Sequence, residues 1–236
     1  MDYKDFEVGK TNEHFWFKAK RDLIDILMKM ACNKKKKLKI LNIGAGTGHD
    51  LKILNRYGIN YVIDIEKKAL SFIEKKLVKE KKLADACDLP YKENFFDIAV
   101  SFDVFEHIKN DKKAISEVNR VLKKGGKLVF TVPAHQFLFS NHDKALDHFR
   151  RYSKNTIKEL FGKFNNIKLF YWNSILFLPI AITRLMNKNA EKKVDKGKFS
   201  PLLNKVTYNL MKIDNFLIRK NIGVPIGISL VGFCEK

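Results

Sequence analysis

The apolar positions of this chain change period along its length. Near the start, Phe15, Trp16, Ala19, Leu23, Ile26, Leu27 and Met30 recur at three- and four-residue spacing, the period of one helix face. From Leu38 to Ile43 the apolar run is short and closed by glycines, which suits a strand buried on both faces. The pattern then alternates. Leu51–Tyr57 reads as helix, Asn60–Ile65 as a second strand, Ala69–Lys79 as helix and Leu83–Ala84 as a short third strand. Asp97–Phe102 is the fourth predicted strand, and Lys112–Leu122 a helix closed by Lys123-Lys124-Gly125-Gly126. Lys127–Val132 is the fifth strand, stopped by Pro133, which has no N–H to give a ladder. Strand-then-helix units of this length predict an α/β fold with a mostly parallel sheet and helices on both faces.

Beyond Pro133 the alternation stops. Residues 134–152 are rich in His, Asp and Arg and show little periodicity. Ser153 reads as the N-cap of a helix ending near Phe164, Ile167–Trp172 as a sixth strand and Ile228–Cys234 as an antiparallel last strand. Between them, residues 173–222 read as two apolar helical patches around a lysine-rich linker, 187–198. The expected organisation is an N-terminal helical cap (1–36), a core (37–172 and 223–236) and a helical insert, or lid, before the last strand (173–222).

Composition changes this picture in two respects. Forty-six Lys and Arg against 26 Asp and Glu give a net charge of +20, which suits a polyanion or an anionic membrane surface as well as a lysine-rich solvated exterior. Three cysteines, Cys32, Cys87 and Cys234, at unrelated spacings and with no CxxC pair exclude a zinc ribbon and argue for a reducing, cytoplasmic setting. The N-terminus lacks the pattern of a signal peptide. The longest uncharged run, between Lys168 and Arg184, is shorter than the ~20 residues of a membrane span.

The chemistry starts at Ile40-Leu41-Asn42-Ile43-Gly44-Ala45-Gly46-Thr47-Gly48. A buried strand running into GxGxG makes a tight turn without Cβ atoms, which a ligand can approach closely. The next strand carries Asp64 near its carboxyl end, where an acid can accept hydrogen bonds from ribose hydroxyls. A nicotinamide fingerprint would need glycine where His49 stands, and a triphosphatase loop would need GK[ST]; neither is present.

Further on come Asp85-Ala86-Cys87-Asp88-Leu89-Pro90, Phe96-Asp97-Ile98-Ala99-Val100, Asp103-Val104-Phe105-Glu106-His107-Ile108 and Glu117-Val118-Asn119-Arg120-Val121-Leu122. In this order, from Leu38 to Val132, the chain resembles the class I S-adenosylmethionine-dependent methyltransferases. The resemblance implies a Rossmann-like, doubly wound sheet and S-adenosylmethionine as cofactor. It also implies that Gly44, Ala45, Gly46 and Gly48 pass under the methionine part, Asp64 holds the ribose, Ile65 packs on adenine, and Asp85 with Ala86 reaches the adenine edge. Asp103, Glu106 and His107 would face the cofactor or the acceptor. Asn42 departs from the family, which places Asp or Glu there; Asn accepts a hydrogen bond but brings no charge.

The segments Ala134–Asp143 and Asp147–Tyr152, with His14–Phe17 and Arg21, resemble a bacterial and archaeal subgroup whose members accompany glycan and lipid-linked sugar pathways. His135, His142 and His148 are candidate general bases, with Asp143 as orienting carboxylate. Trp16, Arg21, Arg150, Arg151 and Tyr152 are candidate acceptor contacts, the arginines suiting a carboxylate or phosphate. No metal site is expected, since these spacings follow no familiar ligand pattern. The apolar stretch from Phe170 with a basic edge suits a lid, or a helix in a membrane interface through residues 170–222. The expected function is methyl transfer, at oxygen, to a small-molecule or lipid-linked glycan or isoprenoid acceptor. An RNA methyltransferase is the alternative suggested by charge, disfavoured because no base-methylating motif follows the fourth strand. A non-catalytic scaffold has only Asn42 for support. The oligomeric state is left open.

Overall fold

The computed structural model describes residues 14–32, 37–186 and 200–236; the linker 187–198 and residues 1–13 of the N-terminal cap lie outside them. Seven strands build one sheet: β1 (Leu38–Ile43), β2 (Gly58–Asp64), β3 (Glu80–Leu83), β4 (Phe96–Phe102), β5 (Leu122–Pro133), β6 (Asn165–Trp172) and β7 (Ser229–Glu235). Their order is β3-β2-β1-β4-β5-β7-β6. The pairs from β3 through β5 are parallel, and β7 runs antiparallel to both β5 and β6. The order reverses between β1 and β4, and it is outside the carboxyl ends of such a pair that a doubly wound sheet opens a ligand crevice.

The helices are α1 (Phe15–Ala31), α2 (Leu51–Leu54), α3 (Lys67–Ser71), α4 (Asp111–Val121), α5 (Asn141–Ala145), α6 (Lys154–Leu160), α7 (Phe177–Met186) and α8 (Pro201–Arg219). Strand alternation divides the core between the two faces of the sheet. Leu41, Ile43, Ala99, Leu128 and Phe130 pack with Val118 of α4 and Ile157 of α6. On the other face, Ile40, Ile98, Val100 and Val129 pack with Leu23, Ile24, Leu27 and Met28 of α1 and with Met211 and Ile218 of α8. Of the stripe read from the sequence, α1 buries Phe15, Ala19, Leu23 and Leu27, half-buries Trp16, Ile26 and Met30, and buries Phe17, Ile24 and Met28 besides.

Some boundaries differ from expectation. The helix expected over Ala69–Lys79 is one short piece, α3, followed by a 3-10 turn at Lys75–Leu77, and β3 starts at Glu80. Its sequence, Glu-Lys-Lys-Leu, hides a strand because it lies at the sheet edge, where charges are tolerated. Lys81 donates to Leu70 O (2.8 Å) and Ile73 O (3.0 Å), and Lys82 sits 4.4 Å over the Tyr91 ring, so these lysines work as linkers. Ser153 caps α6 as expected, accepting from Thr156 N at 3.2 Å. That helix stops at Leu160, and Phe161 turns inward to meet Phe130 edge-on at 4.7 Å.

Helix α8 is inverted. Its buried side carries Thr207, Asp214 and Asn215 beside Met211 and Ile218, while Leu202, Leu203, Val206, Ile213 and Phe216 are exposed. The buried polar groups are used: Asn215 accepts from Trp172 Nε1 (2.9 Å) and donates to Ala19 O (2.9 Å), and Asp214 accepts from Ser174 N (2.7 Å). Among the described residues no helix is long and apolar enough to cross a membrane.

Candidate active site

The turn after β1 is held open by three glycines with positive φ: Gly44 (+64°), Gly46 (+52°) and Gly48 (+80°). A Cβ on Gly44 would lie 2.6 Å from a methyl of Val104, so the turn and the segment after β4 are in direct contact. Asp64, at the tip of β2, fixes the turn. One carboxylate oxygen accepts from Gly46 N (2.7 Å) and the other from Glu66 N (2.9 Å). Each oxygen retains acceptor capacity for a ligand hydroxyl. Ile65 beside it is 69% exposed, an apolar surface at the strand tip. Asp85 is exposed and accepts from Cys87 N (2.8 Å), Ala86 is buried, and Asn42 is buried within β1 between β2 and β4. A Cβ-free turn, a carboxylate with spare acceptor capacity and an exposed Ile form a cradle that fits a nucleoside carrying an amino-acid tail. A cavity of about 350 Å³ lies at the end of the glycine turn, against Arg21, Thr47, Gly48, His49 and Phe72. Asp64, Asp85 and Asp103 do not line it.

At the end of β4 the backbone enters a second tight turn, with Asp103 at φ +55°. Its carboxylate takes Lys20 Nζ of α1 at 2.6 Å and the Thr131 hydroxyl at 2.8 Å. Burial disfavours charge on both partners, yet each holds the other ionised: Asp103 lies below the usual carboxylate range and Lys20 above the usual amine value. Three residues on, Glu106 is 1% exposed and neither carboxylate oxygen has a hydrogen-bond partner. Burial first, then the charge of Asp103, pushes its carboxyl well above the ordinary range.

The segment after β5 is organised around Asp143, which is fully buried. It accepts from Ser140 N (2.9 Å), Arg151 Nε (2.8 Å) and Arg184 (3.1 Å), and it lies 3.1 Å from His148 Nδ1. Burial opposes its charge, but the hydrogen bond from His148 and the two arginines hold its carboxyl far below the usual range. Arg151 also donates to Ala134 O (3.1 Å). Tyr152 donates to Asp111 (3.0 Å), which Arg150 pairs at 2.5 Å. Arg151 and Tyr152 therefore spend their polar atoms inside the fold. Trp16 packs on Trp172, ring centroids 4.8 Å apart, and Arg21 lines the cavity at the end of the glycine turn.

The candidate bases are placed differently from one another. His142 is half-buried in α5. His148 meets the His107 ring edge-on at 4.5 Å. His135 has φ +64° and stacks on Tyr171 at 5.1 Å; its Nε2 is buried without a partner, and burial lowers its pKa. A neutral imidazole nitrogen of that kind is competent to accept a proton. Sequence reasoning gave no role to Lys20, and it read Arg184 as the basic edge of the apolar stretch from Phe170, whereas the structure pairs Arg184 with Asp143. Lys20 did carry a signal, since it stands four residues after Trp16 and three before Leu23, on the apolar stripe itself. For Arg184 the sequence carried no signal of its partner, 41 residues away.

Known proteins bear on this geometry. The family model described as a methyltransferase domain matches residues 41–130. An uncharacterized protein of Methanocaldococcus jannaschii is 32% identical over 181 residues, covering 73% of this chain and 76% of that one. The ubiquinone/menaquinone biosynthesis C-methyltransferase of Wigglesworthia glossinidia brevipalpis is 34% identical over 120 residues, covering 44% of this chain and 48% of its own length. Among solved structures, a SAM-dependent methyltransferase from Archaeoglobus fulgidus superposes with a TM-score of 0.56 at 18% identity, over 94% of this chain and 99% of that one. Haemonchus contortus phosphoethanolamine N-methyltransferase 2, in complex with S-adenosyl-L-methionine, gives 0.60 at 20% identity, over 92% of this chain and 52% of that one. The chain belongs to the class I S-adenosylmethionine-dependent methyltransferases. S-adenosylmethionine is its methyl donor, supplying an electrophilic sulfonium methyl when bound.

Proposed function

We propose that this enzyme methylates a hydroxyl of an amphiphilic acceptor, of lipid-linked glycan or isoprenoid type, at a membrane surface, with α7 and α8 as a lid over the acceptor. The observation that carries this reading is the exposed apolar face of α7 and α8. On α7, Leu178, Ile182, Leu185 and Met186 are exposed at i, i+4, i+7 and i+8, one face of a helix. On α8 the exposed apolar set stands over a buried polar side. Leaving so many large apolar side chains exposed is costly unless an apolar phase covers them. The net charge of +20 adds attraction to anionic lipid.

In this reading Asp64 takes the ribose hydroxyls, Ile65, Asp85 and Ala86 flank the adenine, and the glycine turn admits the methionine part. The residues after β4 and β5 orient the acceptor and exclude water, and His135 takes the hydroxyl proton. The test is co-sedimentation with vesicles of stated anionic-lipid content, together with methyl transfer to free sugars and to lipid-linked sugars. Salt-sensitive vesicle binding with transfer to the lipid-linked set is expected. Transfer to water-soluble acceptors alone, without vesicle binding, would sink the amphiphile. Salt-sensitive retention of RNA on filters with transfer to it would move the acceptor to nucleic acid.

A further inference from the structure

Beside the glycine turn lies a group of side chains that the reading above does not use. Glu106, His107 and His148 bring one carboxylate oxygen and two imidazole nitrogens within 4.8 Å of one another. Glu106 is 1% exposed, and both its oxygens are buried with no hydrogen-bond partner. A buried carboxylate without partners is costly in a folded protein unless something satisfies it. The neighbouring cations do not: Lys20 is paired with Asp103, and Arg151 with Asp143.

A carboxylate already stands behind one of the imidazoles. His148 turns its Nδ1 toward Asp143 at 3.1 Å, which leaves Nε2 as the nitrogen available to a ligand. Asp143 is itself held by Arg151 and Arg184. A carboxylate behind the far nitrogen of an imidazole is the arrangement that orients a metal-binding histidine. The two halves are tied through the backbone as well, since Phe149 N donates to Glu106 O at 2.8 Å.

We propose that Glu106, His107 and His148 form a divalent-cation site at the rim of the methyl-donor crevice, oriented by Asp143. Two imidazoles and one carboxylate suit a borderline cation such as Mn²⁺, Co²⁺ or Zn²⁺ better than Mg²⁺ or Ca²⁺. A cation about 2.1 Å from each donor spans at most about 4.2 Å between opposite ligands. The three donors therefore close by several tenths of an ångström on loading, and three protein ligands leave positions open for the acceptor.

The site deepens the methyltransferase reading and, for its catalytic part, rests on it. Val104, two residues before Glu106, touches Gly44 of the turn, so the segment that carries Glu106 and His107 also borders the glycine turn. A hydroxyl ligated to the cation has a lowered pKa and loses its proton to His135 or to water. Its oxygen lone pair then forms the bond to the methyl carbon as the carbon–sulfur bond breaks. That bond's electron pair stays on sulfur, giving a methyl ether and S-adenosylhomocysteine.

The test begins with the full chain stripped by a chelator and titrated with Mn²⁺, free Mn²⁺ being read by electron paramagnetic resonance. Co²⁺ binding is read in parallel by visible absorption, which reports nitrogen ligation. One Mn²⁺ per chain is expected. Glu106→Gln and His148→Gln should each weaken it tenfold or more, and Asp143→Asn by about 10- to 100-fold. S-adenosylhomocysteine is titrated into every preparation, and circular dichroism checks that each variant is folded. If Asp143→Asn fails to fold, the Glu106 and His148 variants still decide. Wild type that binds S-adenosylhomocysteine but no Mn²⁺, Co²⁺ or Zn²⁺ overturns the cation site and leaves the methyltransferase reading standing. So does Mn²⁺ binding that is unchanged in the Glu106→Gln, His148→Gln double variant. Mn²⁺ binding lost in those variants, with no S-adenosylhomocysteine binding in wild type, supports the site and removes the methyl-transfer step built on it.

Discussion

The two halves of this molecule are held together by different physics. On the donor side, from β1 to β5, strands buried on both faces carry the fold, and the polar residues buried inside them, Asn42, Asn60, Ser101 and Thr131, are uncharged, with Asp64 at the tip of β2. On the acceptor side, α1, the segment after β5 and α8 are joined by buried polar contacts. Lys20 meets Asp103, Arg151 and Arg184 meet Asp143, and Asn215 bridges Trp172 to Ala19. Apolar burial forgives small changes of geometry, whereas a buried charge tolerates no missing partner. The donor side is thus set by pattern, and the acceptor side by particular pairs.

Removing one partner from the acceptor side is the hardest test of that contrast. Asp143→Ala leaves Arg151 buried and Arg184 half-buried without their carboxylate, and breaking a buried pair in this way costs about 3–5 kcal/mol. Denaturant unfolding should show it; a loss below about 1 kcal/mol would mean that the network is more open to water than its burial indicates. On the donor side, Asp64→Ala should leave the fold in place and weaken S-adenosylhomocysteine binding by about 1.5–3 kcal/mol for a charged hydrogen bond lost. Calorimetry on the two proteins reads this directly, and equal affinity would move the ribose away from Asp64.

A smaller effect separates the halves by pH. Glu117 in α4 accepts from Arg120 (2.7 Å) and from Leu89 N (3.0 Å). The Arg120 hydrogen bond, against some burial, lowers its pKa in the folded state. Its contribution is therefore fully present above its unfolded value of about 4.3 and is lost as pH falls through the lower folded value. Urea unfolding of Glu117→Gln across that window should show a flatter acid decline than wild type. A parallel decline would mean that the pair adds nothing. The smallest effect concerns the outer face of α7 and α8. Changing Leu178, Ile182, Leu202 and Val206 to Ser or Gln should shift stability by less than about 0.5 kcal/mol per site, yet remove vesicle binding. A large stability loss with vesicle binding intact would mean that this face packs on protein.

The limits of the sequence fall along the same boundary. Strands β1, β2, β4 and β5 and helix α4 were legible to within a few residues because buried parallel strands and amphipathic helices write their period into the chain. Edge strand β3 was missed in its first residues, since Lys81 and Lys82 pair through ammonium groups and read as surface. The glycine turn and Asp64 were legible because positive φ and a strand-end carboxylate demand particular residue types at fixed spacing. Lys20 was readable in principle as a lysine on an apolar stripe, but its partner Asp103 is 83 residues away. Arg184 and Asp143 are 41 apart and share no motif.

The sequence alone determined the buried parallel strands, the helix that covers one face, and the glycine turn with Asp64 beside it, because those depend on local period and backbone conformation. Only the tertiary structure decided that Arg151 and Tyr152 serve the interior and that α8 turns its apolar side outward. It also decided that Glu106, left without a partner, faces two histidines. These are consequences of which distant side chains share a buried volume, and burial fixes the energy of a charge far more than its neighbours in the chain do.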